Sequence, residues 1–80
     1  MTTVNVRLFA ALRELAGTSR VEASGSTVGE VVEGLVARFG ERFEGIARAG
    51  SVVVDGERAS GEHPLTDGDE LALLPPVSGG

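Results

Sequence analysis

The sequence predicts an α+β fold in which a mixed sheet packs on one main helix, and three observations support this. Short stretches with apolar residues at every second position, typical of strands, occur near both ends and in the middle of the sequence. One stretch carries a long apolar stripe at helical spacing. The chain of 80 residues has no internal repeat, so it has room for one domain. Strands combined with one dominant helix on one face form a layered α+β domain.

The first stretch, "TVNVRLF", predicts a half-buried strand. Val4, Val6 and Leu8 point to one side of such a strand, and Phe9 points to the other side. The next letters, "AALRELAG", are good helix formers that end at Gly17, a residue suited to close a helical turn. "SRVEAS" then predicts a short second strand.

The main helix is predicted in "TVGEVVEGLVARFG". Thr27 and Glu30 fit the capping box, in which each side chain accepts a hydrogen bond from the other residue's backbone N–H. Six apolar residues recur at helical spacing and form one stripe, and Gly40 ends the helix. The stripe consists of Val28, Val31, Val32, Leu35, Val36 and Phe39. For the following "RFEGIARAG", a turn and a short helix both remain open.

The last third of the chain predicts three strands. Asp55-Gly56 within "SVVVDGERAS" suits a type I′ hairpin turn between two of them. The stretch 66–69, "TDGD", has turn chemistry and precedes the final strand. In that strand Leu71 and Leu73 share one face, which we expect to be core, so Leu74 points outward.

Composition excludes several classes of function. The net charge of −5 argues against a nucleic-acid or membrane partner and favours a basic one. Cysteine is absent, which excludes disulfides and thiolate chemistry, and all seven cationic side chains are arginine. No apolar run is as long as the roughly 18 residues of a membrane span. The first residues lack the pattern of a signal peptide, so we expect a cytoplasmic protein.

No group of residues predicts a metal site or a catalytic nucleophile with its base. His63 stands alone before a proline, which favours a solvated loop. Asp67, Asp69 and Glu70 lack the rest of a calcium loop and are interpreted as turn residues with solvated carboxylates. "GSTVGE" has neither phosphate-loop motif and is interpreted as a helix cap. The acidic pairs of the helices are interpreted as solvated charge: Glu30 with Glu33, and Glu41 with Glu44. We therefore expect no enzyme activity from the chain alone.

The C-terminal letters "LLPPVSGG" predict a boundary between residues 1–74, the domain, and residues 75–80, a flexible tail. Pro75 and Pro76 have no N–H, so they end the ladder and keep the exit extended. Ser78, Gly79 and Gly80 add almost no bulk, so the tail suits a narrow channel. Six extended residues reach about 20 Å. The alternative is a frayed terminus without function.

The stretches "LFAALRELAG" and "LTDGDELALLPPVSGG", and the length between them, resemble the ubiquitin-like sulfur carriers of the MoaD/ThiS group, in particular the small subunits of molybdopterin synthase. The resemblance covers all 80 residues, and "PPVSGG" is its most specific part. It implies a β-grasp fold and a thiocarboxylate on Gly80, with Gly79 and Ser78 giving the tail access to the partner's channel. It also implies that the chain itself is a sulfur-donating subunit without catalytic activity or a bound cofactor.

The resemblance further implies three partners. An E1-like adenylyltransferase uses ATP to activate the terminal carboxylate, and a sulfur-donating protein supplies the sulfur. The large catalytic subunit of molybdopterin synthase, a sulfurtransferase, holds the pterin precursor that accepts it. Three alternatives stay open. They are a sulfur carrier for thiamine thiazole, cysteine or tRNA thiolation, a ubiquitin-like protein modifier, and a binding domain whose tail has no function.

A partner surface is expected where the tail leaves the sheet. If the first and last strands are neighbours, as the resemblance implies, Phe9 and Leu74 lie together on the uncovered side and form an apolar patch. Arg13, on the next helical turn, is a candidate for its polar rim. Pro75, Pro76 and Val77 continue the surface into the tail. In the alternative interpretation, Phe9 tucks under the turn as a satellite of the core.

Overall fold

The computed structural model describes residues 2–77. Within these residues, eight helices and strands follow one another. In order they are β1 (Thr3–Leu8), α1 (Ala10–Ala16), β2 (Arg20–Ser24), α2 (Val28–Phe39), α3 (Glu41–Ala49), β3 (Ser51–Val54), β4 (Glu57–Ala59) and β5 (Glu70–Leu74).

The strands form one mixed sheet with the order β2-β1-β5-β3-β4. β1 and β5 pair in parallel, and the other neighbours pair antiparallel. In the parallel pair Val6 lies opposite Leu71, and Leu8 lies opposite Leu73. The first and last strands are therefore neighbours, as predicted, and β5 is the middle strand of the sheet. This mixed sheet packed on helices confirms the predicted α+β, β-grasp architecture.

One face of the sheet is covered by the helices, and the core lies between them. The alternation in β1 and β5 places the predicted residues there, because Val4, Val6, Leu71 and Leu73 are all at most 1% exposed. Ten further apolar residues complete the buried core: Leu8, Leu12, Val28, Val31, Val32, Leu35, Phe43, Ala47, Val54 and Leu65. Burying a side chain of this kind contributes roughly 1.5–3 kcal/mol.

The predicted capping box of α2 forms only in half. The backbone N–H of Glu30 donates to Thr27 Oγ1 over 3.3 Å, as expected. The Glu30 carboxylate, however, accepts from the N–H of Ser26 over 2.8 Å and from its hydroxyl over 2.9 Å, one residue before the cap. These two hydrogen bonds to the charged form lower the pKa of Glu30. Glu30 therefore holds the entry to the helix and is more than a solvated charge.

The stretch that left a turn and a helix open forms α3. Phe43 is its buried anchor, with 0% exposure, and its ring lies 5.1 Å from that of Phe39 on α2. Arg48 of α3 pairs with Glu44 at 2.8 Å and with Glu33 of α2, and all three side chains stay at least 39% exposed, so these carboxylates are solvated, as expected, and also ion-paired. The pairs also raise the pKa of Arg48. The sheet therefore packs on α2 together with α1 and α3.

Both predicted turns are present. Asp55 and Gly56 have φ of 49° and 89°, the two positive values that a type I′ turn requires. In the turn before β5, Asp67 Oδ1 accepts from the N–H of Thr3 over 2.7 Å, and Asp69 Oδ2 accepts from the N–H of Thr66 over 2.8 Å. Asp67 is exposed and Asp69 partly so, as expected of turn residues, and both carboxylates also accept hydrogen bonds from backbone groups. The Asp67 bond fastens this turn to the start of β1.

Candidate functional site

The helices leave the second side of the sheet uncovered, and we call it the open face. Strand alternation places on it the residues next to the core positions. Its members, read from the strand registers, are Thr3, Asn5, Arg7, Arg20, Glu22, Ser24, Ser51, Val53, Arg58, Glu70, Ala72 and Leu74. An apolar strip of Ala72, Leu74 and Val53 runs along its middle, over β5 and β3.

Phe9 extends this apolar strip. It follows β1 in extended conformation, with φ of −125° and ψ of 149°, and caps α1 without a side-chain hydrogen bond. Because Leu8 lies opposite Leu73, Phe9 and Leu74 follow the same register onto the open face. Phe9 is 39% exposed and is not among the apolar side chains packed on the core. The predicted outward placement is confirmed, and a place under the turn is excluded.

Arg13 lies one helical turn beyond Phe9. Its backbone N–H points to the Phe9 carbonyl at 3.4 Å, and its side chain is exposed. The structure thus brings Arg13 near the apolar strip, as predicted. Its role at the rim of a partner surface stays a prediction, as do the contact roles of Phe9 and Leu74.

The C-terminal segment leaves the sheet from its middle strand. β5 ends at Leu74, and Pro75 and Pro76 follow outside the ladder, as predicted. Val77 is 88% exposed and is, with Phe9, one of two large exposed apolar side chains in residues 2–77. Ser78, Gly79 and Gly80 lie outside the described residues, so their predicted roles remain predictions.

Gly50 lies against this exit and was missed by sequence reasoning. It is the last residue before β3, where Ser51 pairs with Leu74. A Cβ on Gly50 would overlap the carbonyl oxygen of Leu74 and lie 3.0 Å from its carbonyl carbon and 3.1 Å from Pro75 Cα. In the sequence, Gly50 is only a glycine between a helix and a strand. Its role depends on which strand pairs with β3, and this is not visible in the sequence.

Charge on the open face differs from the charge of the whole chain. The chain carries −5, but the open face holds three arginines, Arg7, Arg20 and Arg58, and two glutamates. Arg20 and Glu70 approach to 3.6 Å across β1. Both side chains are more than half exposed, so this pair contributes at most about 1 kcal/mol. The acidic excess therefore lies elsewhere on the chain.

The other residues considered for chemistry do not form a site within residues 2–77. His63 is exposed, and its backbone groups bond to Ser60 and Val28. No group of three or more histidine, aspartate or glutamate side chains in this part of the chain could hold a metal ion. Among the same residues, no helix has the length and apolar character to cross a membrane.

Comparison with known proteins finds similar sequences that match nearly the whole chain. The sequence profile of the ThiS family matches residues 6–80. The molybdopterin synthase sulfur carrier subunit of Escherichia coli is 38% identical over 81 residues, which cover 96% of this chain and 99% of that protein. Small archaeal modifier protein 1 of Haloferax volcanii is 40% identical over 88 residues, covering 92% and 97%.

Solved structures agree with these relatives. The solution structure of small archaeal modifier protein 1 from Methanosarcina acetivorans has a TM-score of 0.88 and 32% identity, over 100% of this chain and 98% of that one. A chain of the BexX/CysO complex from Amycolatopsis orientalis has a TM-score of 0.80 and 31% identity, over 96% and 99%. That relative has thus been solved together with a partner protein. The β-grasp sheet, the proline exit from its middle strand and these matches place the chain in the ThiS family of small ubiquitin-like sulfur carriers.

Proposed function

We propose that this chain is the sulfur carrier of a molybdopterin synthase. In this proposal the carboxylate of Gly80 is adenylated and converted to a thiocarboxylate, and its sulfur is donated to the pterin precursor of the molybdenum cofactor. The chain is then the sulfur-donating subunit of a sulfurtransferase and not itself the catalyst, whose groups belong to the large partner.

The proposed chemistry proceeds in two steps on the partners. The carboxylate of Gly80 attacks the α-phosphorus of ATP on an E1-like adenylyltransferase, which forms the acyl adenylate and releases pyrophosphate. A sulfur-donating protein then delivers sulfur at the oxidation level of hydrosulfide. This sulfur replaces AMP at the carbonyl carbon. This yields the thiocarboxylate, AMP and a proton. A chain without cysteine can carry sulfur in this way.

One observation carries the proposal: the C-terminal segment leaves from β5, the middle strand, beside the open face. The start of the tail would therefore lie beside a partner that contacts Phe9 and Leu74. Pro75 and Pro76 keep this start extended, and the glycines that end the sequence have no side chain to obstruct a channel.

The Escherichia coli relative, named for its role in molybdopterin synthase, favours this pathway at 38% identity over nearly the full length. A second candidate is a ubiquitin-like modifier, in which Gly80 is joined to a lysine of a target protein. The relatives named as small archaeal modifier proteins favour it. The similarity to CysO supports a third candidate, a sulfur carrier for another pathway.

The test is the intact mass of the chain purified from its own cells together with its bound proteins. We expect a species heavier than the carboxylate by the oxygen-to-sulfur difference, and a large partner that turns a pterin precursor into molybdopterin. Conjugates on target lysines without this product would instead establish the modifier. The same measurement establishes the C-terminal residue of the native chain.

Two variants sharpen the test. Deletion of Gly80 should abolish adenylation, measured by ATP–pyrophosphate exchange, and leave the unfolding curve unchanged. Gly79→Val should act through access to the channel, because valine cannot follow the dihedral angles open to glycine. A chain that lacks both glycines and still accepts sulfur would refute the proposal.

A further inference from the structure

We propose that Gly50 is a positioning residue that fixes the direction in which the C-terminal segment leaves the sheet. The geometry of Gly50 is independent of the proposed function, but the importance of this residue for the protein rests on that function. It starts from a steric fact: the backbone at Leu74 and Pro75 occupies the space that a Cβ of residue 50 would need.

The need for glycine at this position comes from contact and not from backbone conformation. Gly50 has φ of −92° and ψ of −152°, so it lies outside the left-handed region that favours glycine. Its Cβ would meet backbone atoms, which cannot turn away as the end of a flexible side chain can. Any larger residue therefore has to push the Leu74–Pro75 peptide and α3 apart.

The contact lies where the chain changes from sheet to tail. Ser51 and Leu74 are the last pair of the β3–β5 ladder. Beyond it, Pro75 has no N–H with which to continue the pairing. Gly50, held by a 3.2 Å hydrogen bond from its N–H to the Ala47 carbonyl at the end of α3, is the next surface that the departing chain meets. Helix α3 thus forms a fixed wall on one side of the exit.

The exit has a strong influence on where the terminus goes. A tail of six residues reaches about 20 Å, so a small rotation at Pro75 moves its end by many ångströms. The two prolines transmit this direction, because their φ angles are fixed. Gly50 and the proline pair together set the direction in which residues 75–77 leave relative to Phe9 and the open face.

Other glycines provide matched controls. A Cβ on Gly45, in the same helix, would meet no atom of the surrounding structure within 4 Å, and neither would a Cβ on Gly34 in α2. Alanine at either place fits the helix and has the higher helix propensity. These two variants therefore separate the general effect of replacing glycine by alanine from the specific contact of residue 50 with Leu74 and Pro75.

The first experiment measures direction without any partner. Because the chain has no cysteine, Glu57→Cys and Val77→Cys introduce two unique sites for spin labels, whose separation is measured by pulsed electron resonance. We expect Gly50→Ala to shift the distance distribution and Gly45→Ala to leave it unchanged. An unchanged distribution in folded Gly50→Ala would overturn the proposal.

The second experiment measures the consequence, with the E1-like adenylyltransferase of the same genome and ATP–pyrophosphate exchange. A misplacement of about 1 Å can cost on the order of 100-fold in rate, so we expect kcat to fall by about tenfold or more in Gly50→Ala, with KM little changed. A rise in KM alone would point to a damaged docking face and would overturn the positioning role.

A third variant covers the case in which Gly50→Ala does not fold. Pro75→Ala with Pro76→Ala lies outside the ladder and leaves the contact at Gly50 in place, but it frees the exit. We expect a broader distance distribution and a lower kcat. An unchanged distribution and kcat would refute a directed exit. If the unaltered chain is not adenylated at all, the proposed function fails, whereas the distance measurements still decide the role of Gly50.

Discussion

The covered face and the open face of the sheet are built from the same strands but carry different kinds of side chain. In β1 and β5 the covered positions, such as Val6 and Leu73, are almost completely buried. Their immediate neighbours Arg7, Ala72 and Leu74 face the other way, where no helix lies over them. One face is an apolar core, and the other mixes an apolar strip with arginines and glutamates.

The difference separates stability from recognition along a single strand. Buried residues contribute to folding through the apolar area that they remove from water. An apolar strip that is only partly buried contributes less to folding of the isolated chain, and apolar surface patches often mark interfaces. Neighbouring residues of one strand should therefore respond to substitution in different assays.

The largest effect is expected from the core. Leu73→Ala should lower the free energy of unfolding by about 2–5 kcal/mol, because it leaves a cavity between sheet and helices. Leu74→Ala, the next residue, should lower it far less. Urea unfolding curves measure both. Equal losses would mean that the two faces contribute alike to stability.

The next effect concerns the apolar strip. Phe9→Ala and Leu74→Ala should each weaken binding to the large partner by about 1–3 kcal/mol, measured by calorimetry, with almost unchanged melting temperature. Phe39→Ala is the matched control, because Phe39 packs against the core on the helix side. It should destabilise the chain and leave the affinity of the folded protein unchanged. The reverse pattern would show that the apolar strip is not the partner surface.

A smaller effect is expected from charge on the open face. The net charge of −5 favours a partner with a basic rim, and such attraction weakens with salt. Arg7→Gln should then accelerate association and Glu22→Gln slow it, each by up to about fivefold, as expected for exposed charges worth at most about 1 kcal/mol. Stopped-flow mixing at two ionic strengths measures this. Opposite signs would indicate an acidic partner surface facing these arginines.

The smallest effect concerns the pH dependence of stability. Hydrogen bonds from Ser26 lower the pKa of Glu30 below its ordinary 4.5. The stabilisation is therefore complete above the unfolded-state pKa and is lost as the pH falls from there through the folded-state pKa. Glu30→Gln should lower the stability slightly at neutral pH and flatten the acid side of the stability curve, so that the two chains converge at low pH. An unchanged acid slope would show that these hydrogen bonds contribute nothing measurable.

Local patterns predicted most of the elements. The alternation in β1 and β5, the stripe of α2 and the Asp55-Gly56 turn depend on neighbours in sequence, and all were found as predicted. α3 was left open, because two glycines flank it and its single large anchor, Phe43, gives a weak pattern. Its helical state depends on the burial of Phe43 between elements distant in sequence.

The sequence by itself determined which face of each strand is apolar, where the ladder must stop, and that Leu74 points outward, whereas it left the position of Phe9 open. These follow from the period of the strand and the missing N–H of proline. Only the tertiary structure decided that β5 is the middle strand, that Glu30 bonds to Ser26, and that Gly50 leaves room for the Leu74 carbonyl. The physical reason is that local geometry repeats along the chain, whereas a contact between residues as distant in sequence as Gly50 and Leu74 exists only after the strands have paired.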